Sequence, residues 1–531
     1  MAYSKYYQNG WADNESGGTP ITAASLNHME DGIAAAQTAA EGAAGDAAAA
    51  LTSARAYADQ KLLDAKAYSN SNLNTAKSYT DTKFAAAKSY TDSVTGALDG
   101  QLSDLQAYIG YTSSDIYGVE ADFENKTFTR LAGAAGKTAG ADFNSVNAFG
   151  GRRRCNVTDS GVVTAYYGDA AFASGGALTQ AVTKDGVTYP VGTHVQVMVE
   201  QPKFYYRVVP LKTERTADGY ILRKARYYVS DRPVPGFKVH PVFIRDGREN
   251  DRIYLAAFEG SVYDVSASSY ILDDAQTTDF TPGTGDRLSS ISGAKPAAGV
   301  TQRLTRTNAR QLAHNRGTGW EQAYAATVSA SQLLMLIEYG SFNMQAAIGM
   351  GVVSKASGSG NEAEPTGATL DLGNASGEAE NANEQKPVSY RGEENLWGNV
   401  WCWVDGMNEK NPDTFGSGDH GRLYVADHGF ADDTVTGYQD SGISPVYASN
   451  AYISAFGYSP DCDWIFVAAE CLGNSSLPVG DTMTNSATGW RTAQTGMSWR
   501  GMSSAGPFSM SMFRDASNAN REAGARLVYI P

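Results

Sequence analysis

The chain has little of what several functional classes require. Its four cysteines (Cys155, Cys402, Cys462 and Cys471) are too few for a disulfide framework and none has C-x-x-C spacing, so buried free thiols are expected, with room for one bridge. Of the six histidines (His28, His194, His240, His314, His420 and His428) only His420 and His428 lie close together. Each follows an aspartate, Asp419 and Asp427, and adjacent side chains rarely converge on one ion, so both are read as satisfied loop or core residues. Positive charge is scarce too: 42 Lys and Arg stand against 57 Asp and Glu, a net charge of -15, which argues against a nucleic-acid partner. The one basic run, Arg152-Arg153-Arg154, is expected to pair with nearby carboxylates.

Long apolar runs are missing as well. The alanine-rich stretch after Gly32 is interrupted by Glu41, Asp46 and Arg55, which a lipid interior penalises, so no membrane insertion is expected. The start, MAYSKYYQNGWADNE, lacks the basic opening and apolar stretch of a secretory signal, so any exit from a cell is expected to bypass the standard export route.

What the chain does have begins with a repeat. Tyr57, Tyr68, Tyr79 and Tyr90 recur every 11 residues, with Ala54, Ala65, Ala76, Ala87 and Leu62, Leu73, Phe84 in the same register. That period, about 3.67 residues per turn, predicts a long helix that winds into a right-handed bundle with copies of itself. A lone helix leaves such a stripe uncovered. From Ala34 to about Tyr108 there is no proline, and a continuous helix there spans about 110 Å. Arg55/Asp59, Lys77/Asp81 and Lys88/Asp92, four apart, read as solubilising charges on its outer face.

At 531 residues the chain suggests roughly three to four domains. Beyond Gly110 short apolar or alternating runs at 194–199, 204–209 and 252–258 predict strands. Leu333, Leu334, Leu336, Ile337 and Met344 behind Ser329 predict a helix at about 330–346. Residues 355–387 are polar and glycine-rich, which predicts a long surface loop. Every tryptophan except Trp11 and Trp320 follows it.

The segment from Glu394 to Gly406, with Trp397, Gly398, Asn399, Val400, Trp401 and Trp403, resembles the Gly-Asn-Val-Trp-x-Trp core of the formylglycine-generating-enzyme branch of the C-type lectin fold. Gly496-Met497-Ser498-Trp499 is similar to that branch's Gly-Gly-Ser-Trp stretch, with Met497 in place of the second glycine. Gly524-Ala525-Arg526-Leu527 is similar to its Gly-x-Arg ending. The resemblance implies an α+β tip whose scaffold includes Trp397, Gly398, Asn399, Trp401, Trp403, Trp499, Gly524 and Arg526. The chemistry of the branch does not follow. No cysteine lies beyond Cys471 to form the oxidase's copper pair, no H-x-x-x-H-x-E is present, and Gln201-Pro202-Lys203 fails the lectin calcium triplet. No metal, cofactor or catalytic residue is expected.

The tail from Gly496 resembles the variable proteins of diversity-generating retroelements, including phage tropism determinants, whose mutable patch lies just before the Gly-x-Arg-Leu strand. Mutation of asparagine codons in that family reaches Ser, Arg and Phe but never Met or Trp. The resemblance therefore marks Ser498, Arg500, Ser503, Ser504, Ser509, Ser511, Phe513 and Arg514 as ligand-binding positions, with Trp499, Met502, Met510 and Met512 as fixed ones. Alternation in Ser509-Met510-Ser511-Met512-Phe513 places the methionines on one face and Ser509, Ser511 and Phe513 on the other.

Residues 6–11 and 18–33 are similar to the start of tail and baseplate proteins from phages of Gram-positive hosts. Together these readings imply a phage tail receptor-binding protein. Residues 1–33 form a virion attachment segment that docks a tail or baseplate protein, and 34–108 a coiled-coil stalk that makes a homotrimer. Residues 109–531 form a C-type-lectin-like region that recognises a bacterial surface receptor through a patch at about 496–521. The protein is then virion-borne, made in the host cytoplasm and released by lysis. The rival reading is a tail-associated surface-glycan hydrolase drawing two carboxylates from Asp405, Asp413, Asp419 and Asp427. A host-encoded surface adhesin is the third, and it would need an export or anchoring signal.

Overall fold

The computed structural model describes Met29, Gly32, residues 55–61 and 83–96, and residues 110–531 apart from 357 and 382–384. They belong to two units, Met1–Tyr111 and Thr112–Pro531. In the first, residues 55–61 and 83–96 are α-helical, as are Met29 and Gly32. Lys88 Nζ lies 2.8 Å from Asp92, an exposed i,i+4 pair that solvent screens. Tyr57 and Tyr90 of the repeat are exposed on the single chain. The remainder of the repeat, the stalk's seam and trimeric state, and the attachment segment apart from Met29 and Gly32 lie outside the described residues. Among the described residues no helix is long and apolar enough to cross a membrane.

The second unit is α+β and rests on three sheets. The first is built on the long hairpin Tyr205–Arg215 and Tyr220–Ser230, which Tyr117–Asp122 and then Thr127–Ala132 extend. In the second, Val195–Pro202 lies between Arg153–Thr158 and Arg252–Ala256, and Leu527–Tyr529 near the end of the chain pairs with Arg252–Ala256 and with Trp320–Gln322. With neighbours on both edges, Val195–Pro202 is buried along all but its last residue, polar Gln196, Glu200 and Gln201 included. The third sheet runs Arg422–Val425, Trp401–Asn411, Gly489–Thr495, Met510–Ser511, Thr482–Asn485, Ala448–Tyr452. The expected strands at 194–199, 204–209 and 252–258 are all present within a few residues.

The expected helix at 330–346 is displaced. It spans Ala325–Tyr339, preceded by Tyr324, whose amide donates to Thr327 Oγ1 at 2.9 Å, and it stops at Gly340 with φ +61. Met344 belongs to a separate short helix, Met344–Ala347. Ser329 does not cap; its hydroxyl lies 3.2 Å from His240 Nε2. Because all but two residues of the helix are buried, no apolar stripe marked its true start at Ala325 and Ala326.

Residues 355–387 are not a surface excursion throughout, since Glu364, Thr366 and Thr369 are buried. The Glu394 carboxylate draws the segment in by accepting from the amides of Gly367 (2.7 Å) and Thr369 (2.8 Å). The basic run is structural. Arg152 pairs with Glu393 in the interior, Arg153 lies 3.4 Å from Glu200, and Arg154 donates to the carbonyls of Gly392 and Thr369 at 2.8 Å each. All four cysteines are free thiols.

Candidate functional site

The tryptophan motif and the Gly496 segment form one backbone junction. The Gly398 amide donates to the Gly496 carbonyl at 2.8 Å, and the Trp499 amide donates to the Asn399 carbonyl at 2.9 Å. Beneath it sits the fully buried Glu259, whose Oε2 accepts from Asn399 Nδ2 (2.6 Å) and Asn395 Nδ2 (3.1 Å) while Oε1 accepts from the Val400 amide (3.2 Å). Burial pushes the Glu259 carboxyl up to about 8, opposed by the charge of Arg526 and by the amide donors. Arg526 donates to the carbonyls of Glu394 (2.7 Å) and Ala256 (2.8 Å), tying the final strand to the motif. Trp397, Trp403 and Trp499 are fully buried and Trp401 is half-buried. Gly524 pairs with Cys402 in a short parallel bridge. Of the scaffold residues expected from sequence, Gly398, Asn399, Trp499 and Arg526 meet at this junction, while Trp397, Trp403 and Trp499 are buried in three separate apolar clusters.

Met497 departs from the resembled Gly-Gly-Ser-Trp pattern where departure is costly. Its φ is +69, a conformation glycine adopts freely and other residues hold at about 1–3 kcal/mol. The second glycine of the resembled stretch thereby has a physical reason, and Met497 adopts its conformation without the glycine.

The expected ligand-binding positions divide. Ser498, Ser509 and Ser511 are buried, which takes them out of an exposed contact surface and corrects the placement of Ser509 and Ser511 on a free face. Ser498 Oγ donates to Glu522 Oε2 at 2.9 Å, and Ser509 Oγ donates to the Ser504 carbonyl at 2.6 Å. Ser511 pairs with Thr484 on one edge and Gln494 on the other. Met510–Ser511 is therefore an interior strand covered on both faces, and alternation there does not separate core from solvent. Met510 and Met512 are buried as expected.

Arg500, Ser503 and Phe513 are exposed, and Ser504 and Arg514 are half-buried. Arg500 Nη2 lies 2.5 Å from Glu522, and Ser503 Oγ lies 3.0 Å from the Tyr452 hydroxyl. The Arg514 guanidinium sits 5.1 Å from the centre of the Phe513 ring, while the Arg514 carbonyl accepts from the Thr492 amide at 2.9 Å. The backbone under Phe513 and Arg514 is therefore held by the sheet, whereas Arg500 lies in a turn and Ser503 and Ser504 in the short helix Met502–Ser504. Met502, grouped by codon with the fixed residues, is exposed with φ +48, although its carbonyl accepts from Gln345 Nε2 at 2.8 Å. Tyr452 borders the patch, with no local sequence signal to mark it.

Among the described residues no group of three or more His, Cys, Asp or Glu is placed to hold a metal. His428 Nδ1 lies 2.6 Å from Asp427 and His420 Nε2 lies 3.3 Å from the Ala469 carbonyl. Of the acidic residues in the hydrolase reading, Asp405 is fully buried, accepting from Arg310 (2.5 and 2.8 Å) and Gln322 (2.6 Å). It has no open side for a substrate. Asp413 and Asp419 are exposed and Asp427 is half-buried.

No protein-family model matches the chain, and no curated protein matches it. Among solved structures it is similar to the Major Tropism Determinant M1 variant (12% identity over 76% of this chain and 77% of that one, TM-score 0.23). It is also similar to the U1 variant (12%, 76% and 77%, TM-score 0.22) and the I1 variant (14%, 78% and 94%, TM-score 0.24). At that level of superposition no position in this chain is equated with one in those.

Proposed function

We propose that this chain is a receptor-binding protein of a phage tail, in which a trimeric helical stalk carries an α+β, C-type-lectin-like tip that grips a bacterial surface ligand without metal. The observation that carries the reading is the division within residues 496–521. Trp499, Met510 and Met512 are buried in the frame, while Arg500 and Ser503 reach solvent from a turn and a short helix, and Phe513 and Arg514 from backbone that the sheet holds in place. Side chains at such positions can change without refolding what lies beneath, which is what a diversifiable contact surface requires. Exposed Phe and Arg side chains are also the kind that dominate recognition energies. Three tips on one stalk would make each further contact intramolecular, so weak single sites add up to firm adsorption. The test is adsorption of the full chain to host cells with and without the Phe513 and Arg514 side chains. Loss of adsorption at unchanged melting temperature supports the reading, and unchanged adsorption refutes it.

A further inference from the structure

Met502 is an anomaly of the contact segment. It is 63% exposed between the candidate contacts Arg500 and Ser503, and its φ of +48 is a left-handed conformation that costs any residue with a side chain. A long apolar side chain held out to solvent on strained backbone contributes little to folding. Its surroundings fix it there. The Met502 amide donates to the Val353 carbonyl at 3.0 Å, and its carbonyl accepts from Gln345 Nε2 at 2.8 Å.

The same Gln345 Nε2 donates to the Met350 carbonyl at 3.0 Å, so one side-chain amide bridges the two main chains. Met350 is itself 45% exposed. Two exposed methionines from distant parts of the chain therefore stand on adjoining backbone. Gln345 belongs to the short helix Met344–Ala347, whose start Asn343 caps by accepting from the Ala346 amide at 3.0 Å. On the other side of Met502, Ser503 Oγ lies 3.0 Å from the Tyr452 hydroxyl, which carries the surface on to the edge strand Ala448–Tyr452.

None of these side chains is charged, and charge beside them is compensated. Arg500 lies 2.5 Å from Glu522, and Glu378, next to Gly349, lies 3.2 Å from Lys386. An ionic ligand therefore has no preferred seat here. Thioethers are weak hydrogen-bond acceptors, so they offer little to the hydroxyls of a sugar. Flexible, polarisable methionines instead mould themselves to apolar side chains.

We infer that Met350 and Met502 form an apolar anchor for a polypeptide receptor, taking up apolar side chains that it presents. The inference rests on the reading of the patch as the receptor contact and enlarges that contact to Met350, outside residues 496–521. The test is host-cell adsorption of the full chain carrying Met350→Ala with Met502→Gly, with its melting temperature. Glycine adopts φ +48 freely and both side chains removed are exposed, so the variant should fold. A loss of roughly tenfold in adsorption is expected at unchanged melting temperature. Met502→Gly alone gives the same readout should the pair melt lower. Wild-type chain should also fail to adsorb to protease-treated cells and still adsorb to periodate-treated ones. Undiminished adsorption by the methionine variants, where Phe513→Ala with Arg514→Ala fails to adsorb, would overturn the anchor and leave the reading of the patch standing. Undiminished adsorption by both sets would overturn both. Adsorption that survives protease and is lost on periodate would overturn the polypeptide assignment.

Discussion

Gly398 and Gly496 meet through one hydrogen bond, amide to carbonyl at 2.8 Å, and it joins the tryptophan motif to the segment bearing the candidate contact residues. Both have positive φ (+78 and +92), and a Cβ on Gly398 would stand 2.7 Å from the Val352 carbonyl oxygen. Gly398→Ala should therefore combine backbone strain with a clash against rigid main chain, costing about 2–5 kcal/mol. Urea unfolding of the full chain checks this; a loss under 1 kcal/mol would mean that the junction yields.

Met512 lies 1% exposed at the end of the interior strand, and its amide donates to the Thr484 carbonyl at 2.8 Å. Met512→Ala should cost about 2–5 kcal/mol of tip stability. Thermal melting decides, and an unchanged transition would show that the buried face has been misassigned.

Glu259 sets a pH dependence with a definite sign. Its folded-state carboxyl is raised to about 8, against an unfolded value of about 4.3. Its contribution to stability is complete below the unfolded value and is lost as pH rises through about 8. Asp481 and Glu409, also raised by burial, act in the same direction, so the difference between the wild type and Glu259→Gln isolates the residue. Between pH 5 and pH 9 the urea midpoint should fall further in the wild type than in Glu259→Gln. Equal falls would remove Glu259 from the account.

The repeat predicts a parallel homotrimer, so multi-angle light scattering of the full chain should give three times 56.4 kDa. Leu73→Asp with Phe84→Asp should weaken assembly, because charge in a helix seam loses hydration without gaining a partner. A monodisperse monomer would end the stalk argument, and a dimer would change its stoichiometry.

Adsorption to host cells should survive EDTA, since recognition is assigned to Arg, Ser and Phe side chains with no chelating set. Loss of binding on chelation, with the protein still folded, would count against that assignment.

How much of this was legible in the sequence depends on what signalled it. The strands at Val195–Pro202, Tyr205–Arg215 and Arg252–Ala256 were legible because β-branched and aromatic runs ended at Gly, Pro or Asp. The start of Ala325–Tyr339 was not, because a helix buried nearly all round has no polar face to set its phase. Part of the scaffold was legible from motif chemistry, and Asn399 and Arg526 do act on one buried carboxylate, Glu259, a residue that no spacing connects to them. The contact surface was half legible. Phe513 and Met512 divide as alternation requires, but Ser509 and Ser511 do not, since a serine satisfied by backbone groups is as compatible with the interior as with solvent.

The central claim, that the exposed side chains of the 496–521 segment are the receptor contacts, is tested most directly by two nearby positions measured side by side. Ser511 is 6% exposed and Phe513 is 37% exposed on the same short stretch. Host-cell binding curves for Ser511→Ala and for Phe513→Ala with Arg514→Ala, each with its melting temperature, give the comparison. The account predicts at least a tenfold loss of cell binding for the Phe513/Arg514 variant at unchanged melting temperature, and near wild-type binding for Ser511→Ala. Wild-type adsorption by the Phe513/Arg514 variant would contradict it.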